Sequence, residues 1–348
     1  MAGPGNAKGF VLVTTLWALA ALALLGAYIN HVVTADVEFA IEDKRVFEAE
    51  LERRNTEATV TYLLATGRMN HHALILEQTQ RFSDPRRDRT ASRFGSLGEL
   101  RVTGAAYAGL GGARFSLQDE GGLIPVNTPK FPPLGSFLGR VGVPEEDVAQ
   151  ITARIEDYID SDDSLNLNGA ERHEYRLRGK EPPLNWLMSS PLELMEVLGI
   201  EELVAPAQWS RLRPLLTMRP VSSYNFNTMH PEVLAALLDL DTQGLRGVLE
   251  ERRKGSLSRL TQVAMLSGKH LEIDAMDVAV VPSNFLRLVV WHDTLGPRTV
   301  VGIELTPLGK SAPWRRDYRY SEPATARNRN DSRTPGDRPL EAATPLLR

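Results

Sequence analysis

The pattern of apolar and polar positions is simplest at the amino terminus, where one segment carries no charge. The segment Phe10–Ile29 is almost wholly apolar, and no charged residue occurs from Gly9 to Ala35. Twenty helical residues span roughly 30 Å, the thickness of the hydrocarbon core of a bilayer. Lys8 precedes the segment and Asp36 is the first charge after it. The positive-inside rule therefore predicts that Met1–Lys8 faces the cytoplasm and that the rest lies outside.

The helical pattern continues beyond the apolar run. Apolar residues recur at helical spacing over Val32–Met69, no proline interrupts them, and Gly67 is the first glycine after Gly26. We therefore predict one continuous helix over about 10–66. A removable signal peptide would have an apolar region of about 7–15 residues and a cleavage site after it. The length of the pattern favours an anchor continuous with the head, although a plain single-pass anchor fits the same pattern.

Alternating apolar and polar residues predict strands in two separate parts of the chain. A turn pattern at Asp119–Gly122 ends the first set, and the small-residue segment 104–112 is predicted to be a flexible link. The predicted strands are Glu99–Thr103, Ala113–Gln118, Asn284–Trp291, Thr299–Leu305 and Trp314–Tyr320.

The middle of the chain has helical periodicity and an approximate repeat. One copy begins at Asn127-Thr128 and the other at Asn227-Thr228. The predicted helices are Glu145–Ile159, Ser190–Leu198, Pro231–Leu238, Thr242–Arg253 and Ser258–Leu266. The repeat resembles helix-hairpin-helix modules, many of which bind DNA backbones. Phosphate binding requires several converging cations, and the one basic cluster, 252–254, follows two glutamates, so we favour hairpins that only build a helical core.

Together these patterns predict an α+β fold: a long N-terminal helix with an antiparallel sheet, interrupted by a large inserted all-α domain. The helix followed by strands resembles the pilin fold, so the outer unit is expected to be pilin-like. The predicted segments are a leader (1–9), a transmembrane helix (10–30), a stem with the first strands (31–125), an inserted helical domain with two helix-hairpin-helix-like repeats (126–280), the closing strands (281–320) and a disordered tail (321–348).

Composition narrows the possible functions. The 348 residues carry a net charge of −4 and no cysteine. A nucleic-acid-binding surface is normally basic, and a chain without cysteine has neither disulfides nor a thiol nucleophile. The sequence shows no G-x-S-x-G motif, no P-loop and no histidine pair at metal-ligand spacing. We therefore expect a protein that is not an enzyme.

The densest chemical feature is an acidic cluster. Five carboxylates fall within fifteen residues, and nearby asparagines add amide oxygens. Unpaired, such carboxylates repel one another, and a hard cation with six to eight oxygen ligands would remove the repulsion. The spacing is not that of an EF-hand, and the residues alone fit a solvated acidic turn equally well. The five carboxylates are Asp157, Asp160, Asp162, Asp163 and Glu171.

Lys8-Gly9 followed by Phe10 and an apolar helix resembles a type IV prepilin signal. The resemblance implies cleavage by prepilin peptidase between Gly9 and Phe10 and N-methylation of Phe10. Most pilins carry glutamate at the fifth mature position, where this chain has Thr14. The pseudopilin that departs in this way belongs to the protein K family of type II secretion.

Further motifs are similar to that family in their order along the chain. They are Asn127-Thr128, Asp157-Tyr-Ile-Asp-Ser-Asp162, Asn168-Gly-Ala-Glu171 with Tyr175, Ser190-Pro-Leu-Glu-Leu194, and Asn225-Phe-Asn-Thr228 with Pro-Glu-Val-Leu after it. Known members carry calcium in the inserted domain. Carried over by residue, the implied ligands are Asp157, Asp160, Asp162, Asn168 and Glu171.

The same resemblance implies a function. The chain would be a minor pseudopilin, single-pass in the inner membrane with its head in the periplasm, located at the tip of the pseudopilus. It would initiate pseudopilus assembly and support protein export across the outer membrane. Expected partners are the minor pseudopilins I and J, the pseudopilus, prepilin peptidase and the membrane, with no nucleic acid. The alternative is a membrane-anchored nucleic-acid-binding protein that uses the helix-hairpin-helix-like repeats.

Overall fold

The computed structural model describes residues 8–76, 98–129, 133–220, 223–257, 259–268, 278–293 and 295–322. Its first element is the helix α1, Lys8–Thr66, which is 59 residues long. At 1.5 Å per residue this helix extends about 88 Å. The prediction of one continuous helix from the apolar run into the head is therefore confirmed.

The exposure of α1 changes abruptly along its length. Side chains from Leu12 to Glu48 are exposed, whereas a stripe of the last five turns is buried. The stripe repeats every three or four residues, as one face of an amphipathic helix does. It consists of Ala49, Arg53, Thr56, Glu57, Val60, Thr61 and Leu64. The helix is thus a free stem over its first part and a core element of the head over its second.

The buried stripe of α1 packs on an antiparallel sheet, contacting its strands β5, β8 and β9. The strands are β4 (Thr103–Ala108), β5 (Ala113–Asp119), β8 (Phe285–His292), β9 (Arg298–Leu305) and β10 (Trp314–Glu322), in the spatial order β10-β9-β8-β5-β4. Val60 and Leu64 join Phe115, Leu288 and Val290 in one apolar core. The predicted strands over 113–118, 284–291, 299–305 and 314–320 are confirmed within two residues at their ends.

The small-residue segment 104–112 differs from the expected flexible link. Its first part forms β4, which pairs with β5 through an irregularity between Thr103 and Ala106. Tyr107 stacks on Phe115 with ring centroids 5.5 Å apart. Gly104 has φ +79°, a value that favours glycine and fits a bulge. The expectation was wrong because cross-strand pairing and one aromatic contact outweigh the low strand propensity of alanine and glycine.

A small second sheet follows α1. It comprises β1 (Arg68–Met69), β2 (Ala73–Ile75) and β3 (Glu99–Arg101), in that order. The predicted strand over Glu99–Thr103 is divided between β3 and β4. The leader residues 1–7 and most of the predicted tail lie outside the described residues. The last strand, β10, continues two residues beyond the predicted start of that tail.

The large inserted region is helical and has its own apolar core. Its helices are α2 (Pro133–Arg140), α3 (Glu145–Ile159), α4 (Arg172–Leu177), α5 (Ile200–Leu203), α6 (Pro206–Leu212), α7 (Pro231–Leu237), α8 (Thr242–Lys254) and α9 (Leu260–Ser267). The parallel strands β6 (Ile124–Pro125) and β7 (Leu216–Thr217) lie among them. The predicted helix over Ser190–Leu198 is instead a 3₁₀ helix, Pro191–Glu196.

The insertion separates two strands that are neighbours in space. β5 and β8 pair directly, with Asp119 opposite Leu286, although the helical region lies between them in sequence. This arrangement confirms the predicted fold class, a pilin-like unit interrupted by an α-domain.

Two acidic residues at the end of β5 tie the insert to the sheet. Glu120 forms a buried ion pair with Arg287 at 3.3 Å, and Tyr318 also donates to Glu120. Arg287 donates to the carbonyls of Pro214 and Leu216 as well. Asp119, immediately before Glu120, is completely buried. Both carboxylates therefore lie where the sheet and the helical core meet.

Candidate metal centre

Three carboxylates of the acidic cluster converge in the insert. Asp157, Asp160 and Glu171 each offer an oxygen, and these three oxygens all lie within 4.8 Å of one another. Asp157 is completely buried and Glu171 is 4% exposed. Two oxygens on opposite sides of a single calcium ion are about 4.8 Å apart, because each Ca–O bond is about 2.4 Å. The spacing therefore fits one shared cation.

Two helix ends position these groups. Asp157 lies in the last turn of α3, and Asp160 follows as the residue that ends the helix. Glu171 comes directly before α4, where its backbone N–H donates to Glu174. The carboxyl end of a helix carries a partial negative charge, so the two aspartates stand in an unfavourable field. A bound cation would neutralise both the carboxylates and the helix end.

The loop between α3 and α4 closes over Asp157. The backbone N–H of Asn166 lies 3.3 Å from both Asp157 oxygens, and its side-chain amide donates to Oδ1 at 2.5 Å. Gly169 passes so close that a Cβ at this position would lie 1.9 Å from Asp157 Oδ2. The Asn-Gly of the sequence motif thus reflects close packing of backbone against carboxylate.

The other two carboxylates lack such donors. Neither carboxylate oxygen of Glu171, nor Asp160 Oδ1, has a hydrogen-bond partner among the described residues, although all three atoms are buried. Burial, together with repulsion from Asp157 and Asp160, raises the pKa of Glu171 to about 7. Burial and its acidic neighbours also raise the pKa of Asp160. A buried carboxylate oxygen without a donor is costly, and a metal ion would satisfy it.

The remaining candidates have partners of their own. The Asp162 carboxylate accepts hydrogen bonds from the side chain and the backbone N–H of Ser164, which lower its pKa. Asn168 is exposed and has φ +65°, so it makes the turn before Gly169. Asp163 lies 3.7 Å from Arg172 and accepts from Asn185 at 3.3 Å. Among the described residues, the group of mutually close carboxylates therefore consists of Asp157, Asp160 and Glu171 and does not include Asp162 or Asp163.

The three converging residues fit a hard cation. They supply up to six carboxylate oxygens and no nitrogen or sulfur, a donor set that suits calcium or magnesium. Calcium tolerates irregular geometry and takes further ligands from carbonyls and water. Sequence reasoning missed Asn166 and Gly169 as parts of this site. The sequence pattern that could have revealed them is the Asn-x-Asn-Gly spacing. By itself, this pattern indicates only amide oxygens and a turn.

The predicted repeat has a structural explanation. Asn127 bridges the carbonyls of Met188 and Met218 and accepts the N–H of Met188. Asn227 bonds in the same double way to the backbone N–H and C=O of Leu257. Each asparagine thus holds a distant segment of the helical core through its amide.

The basic cluster 252–254 does not offer converging cations. Arg252 points inward and donates to the carbonyls of Phe226 and Met229, and burial lowers its pKa to about 10. Lys254 pairs with Glu251 at 2.5 Å. The geometry gives no support to the nucleic-acid-binding alternative, which would need these groups at an open surface.

At the other end of the chain, α1 is long and apolar enough to cross a membrane, and its apolar window is wholly exposed. Gly9 and Phe10, the predicted cleavage residues, form part of the first turns of α1. Thr14 lies within the same exposed portion.

Two comparisons with known proteins give matches to this chain. Residues 117–221 match the model of the first domain of protein K of the type II secretion system. This segment contains the acidic cluster, Asn127 and the Ser190–Leu194 motif. In fold, the chain is similar to a chain of the crystal structure of the GspK-GspI-GspJ complex of enterotoxigenic Escherichia coli. The TM-score is 0.53 at 15% identity, covering 82% of this chain and 99% of that one.

The segment 117–221 is thus similar in sequence to type II secretion system protein K, and the chain as a whole is similar in fold to the chain from that complex. The resemblance found from the sequence is thus confirmed, and so is the arrangement of stem, sheet and inserted domain. No curated protein sequence matches the chain significantly. The three converging carboxylates all fall within the matched segment, whereas α1 and β8–β10 lie outside it.

Proposed function

We propose that this chain is a minor pseudopilin that occupies the tip of the pseudopilus, where it initiates assembly and supports export across the outer membrane. The observation that carries this proposal is the protein K domain at 117–221, inserted between neighbouring strands of a sheet packed on a membrane-length helix. The large insert widens the head beside the stem, so the chain suits an end position better than a repeated one. Its role is structural, without catalysis.

The location and processing follow from the same elements. α1 anchors the chain in the inner membrane, and the head lies in the periplasm. Prepilin peptidase removes Met1–Gly9, and Phe10 becomes the methylated terminus. Thr14 has no carboxylate that could pair with the amine of a neighbouring subunit. It therefore avoids the cost that an unpartnered carboxylate would have within a bilayer. Minor pseudopilins I and J are the proposed partners, because the similar fold in the GspK-GspI-GspJ complex is seen together with both.

The acidic group is proposed to hold calcium through Asp157, Asp160 and Glu171. The buried, unpartnered oxygens of Glu171 and Asp160 support this assignment. Bound calcium would supply positive charge that locks the end of α3 to the start of α4. The site would then order the insert and take no part in a reaction.

Deletion and complementation in the bacterium that encodes the chain test the function. Without the chain, secreted proteins should accumulate in the periplasm, and the wild-type gene should restore their export. Normal secretion after deletion would contradict the proposal. Mass spectrometry of the membrane-extracted protein tests the processing separately, and a terminus other than methylated Phe10 would contradict that part.

Calorimetry with calcium and with zinc separates a structural site from a hydrolytic one. We expect calcium binding to the full-length protein in detergent, with loss of binding in Glu171→Gln. The matched control is Glu145→Gln, an exposed glutamate at the other end of α3, which should bind as the wild type does. Zinc binding accompanied by hydrolytic turnover would overturn the structural assignment.

A further inference from the structure

The exposed apolar side chains of the insert are concentrated in one part of it. Most of the large apolar side chains that the described insert exposes lie between residues 165 and 192. Leu167 is 89% exposed, Leu184 77% and Trp186 72%. Exposed apolar side chains that lie together mark an interaction site. The full set is Leu165, Leu167, Leu177, Leu184, Trp186, Leu187 and Leu192.

Three segments that carry these side chains meet at Asp163. The Asp163 carboxylate lies 3.7 Å from Arg172, at the start of α4, and accepts a hydrogen bond from Asn185 at 3.3 Å. Asn185 also donates to a backbone carbonyl of the loop 160–168 at 2.7 Å. The loop 160–168, the helix α4 and the segment 178–187 therefore form one surface, the loop surface.

The loop surface carries exposed cations beside the apolar side chains. Four cationic side chains are exposed within the nine residues 172–180. Arg172 and Arg178 each lie close to a carboxylate, whereas neither Arg176 nor Lys180 forms an ion pair with a described residue. Cations next to leucine and tryptophan match the two layers of a phospholipid surface, which are the phosphate groups and the acyl chains.

The shape of the loop surface favours a lipid partner over a folded protein. Leu167, Leu184 and Trp186 protrude from irregular segments of the chain. In a protein interface, an apolar anchor fills a matching pocket of the partner. The interfacial layer of a bilayer accepts protruding side chains without a matching pocket, and it favours tryptophan because the indole is apolar with one polar N–H.

The charge of this region depends on the proposed calcium site. Residues 157–187 hold seven carboxylates and four cations, so their net charge is −3 without a metal ion. Such a charge repels anionic lipid head groups. Three of the seven carboxylates form the converging group, and one calcium ion bound there would change the net charge to −1. The same ion would join α3 to α4, so it would also hold the loop between them in place.

We propose that the loop surface binds a phospholipid bilayer when the insert holds calcium. Leu167, Leu184 and Trp186 enter the layer between head groups and acyl chains, while Arg176 and Lys180 contact phosphate. This contact is distinct from the membrane anchor, because it belongs to the insert and not to α1. It rests on the proposed calcium site and adds a ligand to the proposed function.

Vesicle binding tests the proposal with the full-length protein. The anchor is held in a lipid nanodisc, and vesicles of equal parts phosphatidylethanolamine and phosphatidylglycerol are added. Because the chain has no cysteine, Leu184→Cys gives a single site for a nitrobenzoxadiazole fluorophore. In calcium, we expect the fluorescence to rise about twofold as the fluorophore leaves water for an apolar layer. The unlabelled wild type should float with the vesicles in a density gradient, and chelator should abolish both results.

A second labelling site and an apolar variant locate the contact. Leu308 is 97% exposed but lies between β9 and β10, outside the insert. A fluorophore on Leu308→Cys should therefore not respond to vesicles. Trp186→Ser, which keeps every charge, should weaken vesicle binding about tenfold, because an interfacial aromatic side chain is lost.

Paired charge variants test the phosphate contact. Arg176→Gln with Lys180→Gln should weaken vesicle binding about tenfold, because two cations near the lipid surface are lost. The matched control is Arg246→Gln with Lys310→Gln. Both control residues are exposed, and neither forms an ion pair with a described residue. The control should bind as the wild type does, and an equal loss in both pairs would mean general electrostatic attraction and overturn the proposed contact.

The proposal is overturned if the wild type does not float with vesicles in calcium, if it floats equally in chelator, or if the two labelling sites respond alike. Flotation of the wild type needs no variant, so it decides the case if a variant misfolds. Calorimetry and secretion assays keep the failures apart. Calcium binding without vesicle binding would sink the lipid contact alone. A wild type that binds no calcium would sink the calcium site as well, and normal export after deletion would sink the proposed function.

Discussion

Two buried carboxylate sites in this molecule are satisfied in opposite ways. Asp119, at the junction of sheet and insert, is fully buried, and both its oxygens accept hydrogen bonds. Its donors include the hydroxyls of Ser283 and Thr228, both at 2.6 Å. Glu171, in the insert, is nearly as buried, but neither oxygen has a partner among the described residues.

The difference shows which site needs an outside cation. Burial raises the pKa of Asp119, while the bonds from Ser283 and Thr228 oppose that rise. At Glu171, acidic neighbours add to the effect of burial. A carboxylate surrounded by donors has its hydrogen bonds satisfied within the protein and serves a structural role. A group of carboxylates that repel one another, and in which several buried oxygens have no donor, is a site that gains stability from a metal ion.

The largest expected effect comes from breaking the junction beside Asp119. Arg287→Met leaves Glu120 buried without its cation, and removing one partner of a buried ion pair costs about 3–5 kcal/mol. The measurement is thermal or urea unfolding of the full-length protein in detergent. The control is Arg178→Met, whose exposed pair with Glu202 contributes at most about 1 kcal/mol. Equal stability of the two variants would contradict the structural role of this junction.

Calcium should produce the next largest effect, and only at the Glu171 site. With free calcium at about one hundred times its dissociation constant, the folded state gains about 2.7 kcal/mol over the chelated protein. Glu171→Gln should abolish this gain. In the chelated state, the same variant should be more stable than the wild type, because it removes a repelling charge.

The matched control for calcium is Asp119→Asn. This variant should keep the full calcium-dependent shift in unfolding, since the junction holds its own donors. A calcium response that survives Glu171→Gln, or one that disappears in Asp119→Asn, would reverse the assignment of the two sites.

The two sites also differ in how far the sequence could predict them. The acidic cluster is local, because Asp157, Asp160 and Glu171 lie close together in sequence on either side of one turn. The sequence offers all three as ligand candidates, and the structure shows that their oxygens converge. The junction carries no such signal: Ser283 is 164 positions from Asp119, and Thr228 is 109 positions away. Only the chain topology brings these donors together.

The elements of the fold also differ in how far the sequence predicts them. The continuous helix and the strands 113–118, 284–291 and 299–305 follow from apolar periodicity, which is a local property. β4 was missed because its small residues have low strand propensity, and its pairing with β5 and the stacking of Tyr107 decide its conformation. The repeat at Asn127 and Asn227 was visible in sequence. Its purpose, the bridging of distant backbone segments, depends on contacts 61 and 30 residues away.

A smaller effect is expected from Asp119→Asn itself. The substitution places an amide N–H₂ where Ser283 and Thr228 donate, so at least one buried donor loses its acceptor. Such a loss costs about 1–3 kcal/mol. Unfolding of the variant in calcium and in chelator measures it, and the cost should be the same in both. Ser210→Ala, which removes an exposed hydroxyl bonded within α6, serves as a control with little effect. A cost that depends on calcium would mean that the two sites are coupled.

The last expected effect is the contribution of the calcium site to the pH dependence of stability. In chelator, the raised pKa of Glu171, about 7, means that the folded protein holds a proton that the unfolded chain releases near pH 4.5. The free energy of unfolding therefore falls as pH rises between these values, because the folded state binds more protons. Calcium reverses the trend, since it binds only the ionised carboxylates and stabilises more as pH rises. Because Asp119 adds a slope of the same sign, the measurement compares wild type with Glu171→Gln. In chelator, we expect the difference in the free energy of unfolding between the two proteins to shrink on acidification. If it grows instead, the carboxylates of this group do not repel one another in the folded protein.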